Sequence, residues 1–168
     1  MYHYTLGRFS MTKDPNPDPD GELPLHSAVR NNEYESVKTL LNKGENIDST
    51  NNDNETPLYY ASMYNREEIG KVLISKKANV NFKNNKGWTP LHIAAWNGSK
   101  EMFEILILNG ADINLKNNRG KTPLDYTTKS MIDSLNKETK EILDKTKKIS
   151  ELSKINNFFL LKKDLYKS

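Results

Sequence analysis

The chain has 168 residues, 35% of them hydrophobic, and a mean hydropathy of −0.80, so we expect one domain with too little apolar material for a large enzyme core. It has no cysteine, which excludes disulfides, thiolate metal sites and cysteine nucleophiles. The net charge of +3 is unevenly placed: residues 137–168 carry +4 and residues 1–136 carry −1, and this near-neutral body argues against a surface for duplex nucleic acid.

The first 17 residues are expected to form a flexible arm, because prolines at positions 15, 17 and 19 stand among Asp and Asn residues. The N-terminus lacks a basic region followed by an apolar one, so it does not resemble a signal peptide. No stretch approaches the roughly 20 apolar residues that span a bilayer. We therefore expect a cytosolic location.

A Pro-Leu phrase recurs with a fixed period after this arm. The prolines are spaced by 33 residues: Pro24, Pro57, Pro90 and Pro123. The phrases read GELPLHSAV, NETPLYYAS, GWTPLHIAA and GKTPLDYTT, and the turns that follow the first three read NKGENID, SKKANVN and LNGADIN. This pattern resembles the ankyrin repeat over about residues 18–136.

Each unit is expected to form two helices and a finger. A Thr that can cap the first helix precedes three of the prolines: Thr56, Thr89 and Thr122. The third unit shows an apolar stripe on each helix: Leu91, Ala94 and Ala95, then Phe103, Leu106 and Ile107. Because one unit cannot cover its own stripes, neighbouring units must stack.

The ends of the units vary. Gly44 and Gly110 stand where a second helix ends and a left-handed residue is favoured, whereas Lys77 takes that place in the second unit. Leu23 replaces the capping Thr in the first unit. The fourth unit lacks the turn motif, so its second helix is expected further along, within NKETKEILDKTKKI, after an insertion at about residues 129–136.

We therefore predict an all-α, ankyrin-repeat α-solenoid in which each repeat is a helix-turn-helix with a β-hairpin-like finger. The approximate repeats are 18–50, 51–83, 84–116 and 117–149, the last a degenerate cap, with residues 137–168 forming a basic helical extension.

Few residues are candidates for catalysis or metal binding. His26 and His92 share one repeat position, at which the resemblance implies a hydrogen bond to the neighbouring finger, and Glu67 and Glu68 suit the first turn of a helix. The Asn pairs, such as Asn84-Asn85, are typical of an AT-rich genome. No catalytic residue, metal site or cofactor is predicted.

The resemblance implies that partners bind the concave face formed by the finger tips and inner helices. The corresponding residues are Glu22, Arg30, Asp53, Glu55, Met63, Tyr64, Lys86, Trp88, Trp96, Asn97, Arg119 and Lys121. Tyr64, Trp88 and Trp96 are the expected apolar anchor. Alternatively, Trp88 packs along its own finger and Trp96 against the fourth repeat. Acidic residues on the first two repeats and basic ones on the last two predict a face that is negatively charged at one end and positively charged at the other.

The tail contains Phe158 and Phe159 among lysines, and three roles stay open: covering the last repeat, docking on another protein, or lying on an anionic membrane. The predicted function is a non-catalytic, monomeric adaptor for a protein partner. A membrane-associated adaptor is the alternative, an enzyme is disfavoured, and export of the protein to a host cytosol stays open.

Overall fold

The structure is a computed structural model that describes residues 21–148. The predicted arm at 1–17 and the tail contacts of Phe158 and Phe159 lie outside the described residues. Within residues 21–148 the chain forms helices and turns and no strand.

Three helix pairs follow one another, each beginning at a proline of the 33-residue period. They are α1 (Pro24–Arg30) with α2 (Tyr34–Asn42), α3 (Pro57–Met63) with α4 (Glu67–Ser75), and α5 (Pro90–Asn97) with α6 (Lys100–Leu108). Then come a single 3-10 turn at Pro123–Tyr126, α7 (Lys129–Ser134) and a helix over 137–148, here α8. The first helix of each pair packs on the first helix of the next, and α4 packs on α6. This stacking confirms the predicted all-α solenoid.

As predicted, threonine side chains cap the first helices of the second and third pairs; we call the first helix of each pair the inner helix. The Thr56 hydroxyl accepts from the Tyr59 amide at 3.2 Å, and Thr89 accepts from His92 at 3.4 Å. Leu23 gives α1 no side-chain cap. At Thr122 the Asp125 carboxylate accepts from the backbone amide at 2.7 Å, and this bond lowers the pKa of Asp125. Side-chain hydrogen bonds therefore mark the start of α3, of α5 and of the 3-10 turn, whereas α1 begins without one.

The core runs along the stack instead of forming one centre. Leu25, Leu58 and Leu91, which follow the repeated prolines, are fully buried, as is Phe103 on α6. The other second helices also contribute, since Ile69 and Leu73 of α4 are fully buried. Gly70 of α4 faces Met102, whose Sδ is 2.8 Å from where a Cβ at Gly70 would stand. Small residues thus let neighbouring repeats approach.

The turns after the second helices adopt the predicted left-handed conformation. The φ angles are +88° at Gly44, +86° at Gly110 and +74° at Lys77. Lysine is strained in this region because its Cβ crowds the backbone, so the second repeat stores strain that its neighbours avoid.

The fourth repeat departs most from the pattern. Its first helix is reduced to one turn, after which Thr127 is extended (φ −79°, ψ 146°), and the stretch expected as an insertion contains α7. Asn136 then begins α8: its amide donates to Oε1 of Glu104 at 2.5 Å, and its Oδ1 accepts from Thr139 at 2.8 Å. Helix α8 buries Thr139 and Leu143, so it closes the apolar end of the stack.

Candidate functional site

Three fingers project between the helix pairs, and an asparagine shapes each one. We define finger 1 as residues 51–55, finger 2 as 84–88 and finger 3 as 117–121. Oδ1 of Asn84 accepts from the amides of Lys86 at 3.0 Å and Trp88 at 2.9 Å. Asn51 and Asn117 repeat this arrangement. Each finger is therefore a turn closed around a buried side chain.

The second asparagine of the pairs in fingers 2 and 3 ties its finger to the preceding one. The Asn85 amide donates to the Asp53 carbonyl at 3.0 Å, and the Asn85 side chain donates to Asn52 O at 3.1 Å. Asn118 makes the same two bonds to finger 2. The Asn pairs therefore have a structural role. Their recurrence every 33 residues indicates this role, which the explanation from an AT-rich genome did not include.

The two histidines join the inner helices to the next finger, which confirms their predicted structural role. Nε2 of His26 donates to the Glu55 carbonyl at 2.8 Å, and Nε2 of His92 donates to the Lys121 carbonyl at 3.1 Å. Burial lowers the pKa of both rings below the usual 6.5. Nδ1 of His92 accepts from the Thr89 amide at 3.1 Å, so the ring is held neutral with its proton on Nε2.

Trp88 and Trp96 meet in one aromatic cluster with Tyr126. The ring centroids are 5.8 Å apart between the two tryptophans, 4.8 Å between Trp88 and Tyr126, and 5.5 Å between Trp96 and Tyr126. Trp88 is half-buried, whereas Trp96 is 61% exposed. The alternative packing on the fourth repeat therefore applies to both rings, yet Trp96 still offers a large apolar face. Sequence reasoning missed the role of Tyr126 because this role depends on contacts with the third repeat.

Tyr64 stands apart from this cluster. Its ring packs edge-on against Tyr60 at 5.9 Å and under the Arg66 guanidinium at 6.0 Å. Asn97 links the two neighbourhoods, since its Nδ2 donates to the carbonyl of half-buried Met63 at 2.8 Å. The predicted three-residue anchor is therefore two tryptophans together and a separate tyrosine.

A groove of about 460 Å³ runs beside the tryptophans. We call it the Trp96 groove; its lining includes Glu55, Lys86, Trp88, Ile93, Trp96 and Arg119. Lys86 and Arg119 are exposed at the finger tips. Lys121 lies further along finger 3, and its Nζ is 3.9 Å from Oδ1 of Asp125. Several predicted residues therefore converge on one surface.

The acidic half of the face is weaker than predicted. The Glu22 side chain is only 3% exposed and pairs with Arg30 at 2.9 Å, so both are engaged within the first repeat. Glu55 accepts from the Asn51 side chain at 3.1 Å and the Asn84 side chain at 3.4 Å. Asp53 is the exposed acid of this set. Glu22 is thus neutralised by Arg30, whereas Glu55 keeps its charge but is held by asparagine side chains, so the negative end of the face is weaker than composition suggests.

This architecture agrees with the family comparison. A model of the family described as Ankyrin repeats (3 copies) matches residues 25–117 and 71–143. The chain belongs to the ankyrin-repeat family. Ankyrin repeats are generally protein–protein interaction modules. Among curated proteins, none matches the chain. In residues 21–148 no helix is long and apolar enough to cross a membrane, and no three potential metal ligands among His, Asp and Glu cluster together.

Proposed function

We propose that this ankyrin stack is a non-catalytic adaptor that recognises a protein partner through the Trp96 groove. The carrying observation is Trp96 itself, which remains 61% exposed although Trp88 and Tyr126 hold its ring in place. Tryptophan is enriched among the residues that contribute most to protein interfaces, and its exposure is costly on a surface without a partner.

The rigidity of the fingers supports the proposal. Because Asn84, Asn85 and Asn118 tie the fingers to one another, the face needs little ordering when a partner binds. Exposed Lys86, Arg119 and Asp53 at the finger tips would orient the partner more than tighten the complex.

A capture experiment with a matched control tests this function. Wild-type protein, Trp96→Ala and Leu108→Ala would each be used as bait in a cytosolic lysate after circular dichroism shows equal helix content. Leu108 is the control because it is also a large exposed apolar residue, 40% accessible, at the end of α6. We expect partners to be lost from Trp96→Ala alone. The same partners on all three baits would contradict recognition through Trp96.

The cytosolic location and the monomeric state stay predictions. Analytical ultracentrifugation of the full chain checks the second, with a single species at monomer mass expected across the working concentrations.

A further inference from the structure

We propose, building on the proposed function, that the Trp96 groove takes an acidic peptide segment of the partner protein carrying one large apolar side chain. The groove pairs an aromatic wall with a cationic rim, and the two halves come from different elements. Helix α5 supplies Ile93 and Trp96, while fingers 2 and 3 supply Lys86 and Arg119.

The aromatic wall fits an apolar side chain. Trp96 contacts Trp88 and Tyr126 in nearly perpendicular ring packing, at 74° and 73°, so its remaining face is fixed in direction. Ile93 lies in the same lining and is 8% exposed. An apolar side chain placed there displaces water from the surfaces of Trp96 and Ile93, which are already held in position.

The rim carries two cations, and the groove lining holds one carboxylate, that of Glu55. Lys86 and Arg119 are exposed, and neither forms an ion pair with a carboxylate in residues 21–148, although Arg30, Lys38, Lys71, Lys121 and Lys137 do. Within residues 21–148, two cations without a carboxylate partner therefore lie on adjacent fingers, where carboxylates of a ligand can reach them.

The carboxylate in the lining does not reverse this preference. Both oxygens of Glu55 accept hydrogen bonds from asparagine side chains, Oε2 from Asn51 and Oε1 from Asn84. Buried Tyr59 lies beside it in the lining, and burial, with the Glu55 charge next, raises the pKa of that phenol. These bonds hold the Glu55 side chain in place but leave its charge, so the formal charges of Lys86, Arg119 and Glu55 in the lining sum to +1, which favours an acidic ligand over a basic one.

Charge argues against the tail, but not against the N-terminal segment, as the occupant of the groove. The tail over 149–168 carries four Lys against two acids, so it would add positive charge to a cationic rim. The arm and the three residues that follow it contain Asp14, Asp18 and Asp20 as well as aromatic residues, which makes this segment the competing occupant that the experiment must address.

The test uses short fluorescent peptides with a central Phe flanked by Asp, by Ser or by Lys, titrated into the full chain. We expect the Asp class to bind at least about ten-fold more tightly than the Lys class at low salt, with the gap closing as ionic strength rises to about 0.5 M. Trp96→Ala should weaken every class. Lys86→Glu/Arg119→Glu should reverse the charge preference.

A matched control separates local from net charge. Lys76→Glu/Lys145→Glu makes the same change in net charge at two exposed lysines outside the groove lining, and it should leave the preference unchanged. A control that also reverses the preference would overturn the local role of Lys86 and Arg119.

The remaining outcomes distinguish this inference from the proposed function. Trp96-dependent binding of the Ser class at least as tight as the Asp class would overturn the acidic ligand while leaving recognition through Trp96 intact. Peptide binding that Trp96→Ala does not weaken would count against both the acidic ligand and recognition through Trp96. If wild type binds no class and Asp14→Asn/Asp18→Asn/Asp20→Asn does, the arm occupies the groove and the external partner segment is overturned.

Discussion

Asn84 and Trp88 close finger 2 through two reciprocal hydrogen bonds. The backbone amide of Asn84 donates to the Trp88 carbonyl at 2.9 Å. The backbone amide of Trp88 donates to the side-chain Oδ1 of Asn84, also at 2.9 Å. The residue that shapes the finger therefore also positions the indole that supports Trp96. Fold and recognition surface depend here on the same side chain.

Asn84→Ala is predicted to lower the free energy of unfolding by about 1–3 kcal/mol, because two backbone amides of a partly buried turn lose their acceptor. Urea denaturation followed by circular dichroism measures the change. Asn42→Ala, at the exposed end of α2, is the control and should stay within about 0.5 kcal/mol of wild type. Equal losses in both variants would show that the finger bonds contribute little.

Stability is predicted to fall as the pH drops below about 6.5, the pKa of histidine in the unfolded chain. Burial lowers the folded-state pKa of His26 and His92, so the unfolded chain takes up protons first. The loss continues until the pH reaches the lowered folded values. Protonation would also turn Nδ1 of His92 into a donor facing the Thr89 amide, which is itself a donor.

Urea midpoints between about pH 7.5 and 5.5 measure this dependence, above the range in which unperturbed carboxylates titrate. The full chain with His26→Gln/His92→Gln should show a flatter profile from a lower starting stability. A slope as steep as in wild type would assign the dependence to other groups.

Lys77→Gly is predicted to stabilise the chain by about 0.5–1 kcal/mol. Relief of the left-handed strain at φ +74° outweighs the added entropy of glycine in the unfolded chain. The reciprocal Gly110→Ala should destabilise by a similar amount, since no atom lies within 4 Å of its new Cβ and only backbone strain acts. Thermal melts of both variants check the signs, and two shifts in the same direction would refute the explanation.

Sequence reasoning reached the solenoid because its determinants are local and repeated. The prolines, the preceding threonines and the apolar stripes each recur with the 33-residue period, so every unit reinforces the same interpretation. Lys77 was identified as an exception for the same reason: a side chain at a left-handed position is visible against two glycines.

The recognition surface was less accessible to sequence reasoning, because contacts between repeats determine it. Glu22 looked like an exposed acid but is buried against Arg30. Tyr126 lies in an aligned phrase of the fourth repeat, but its packing on the two tryptophans of the third repeat is not visible in the sequence. Position in the repeat indicates which way a residue faces. It does not indicate whether that residue's hydrogen-bonding capacity is already used by a neighbour.

Trp88→Ala and Trp96→Ala are predicted to separate stability from binding. Trp88 is half-buried between His92 and Tyr126, so its removal should cost about 2–3 kcal/mol of unfolding free energy. Trp96 is largely exposed and loses two edge contacts, so Trp96→Ala should cost only about 1 kcal/mol.

The two costs can be compared with partner capture on the same samples, using urea denaturation for stability. Trp96→Ala should lose binding at near wild-type stability, which no purely structural role of the indole would produce. If Trp96→Ala instead destabilises the chain as much as Trp88→Ala, both indoles belong to the core that closes the third repeat on the fourth, and the exposed face of Trp96 has no separate function.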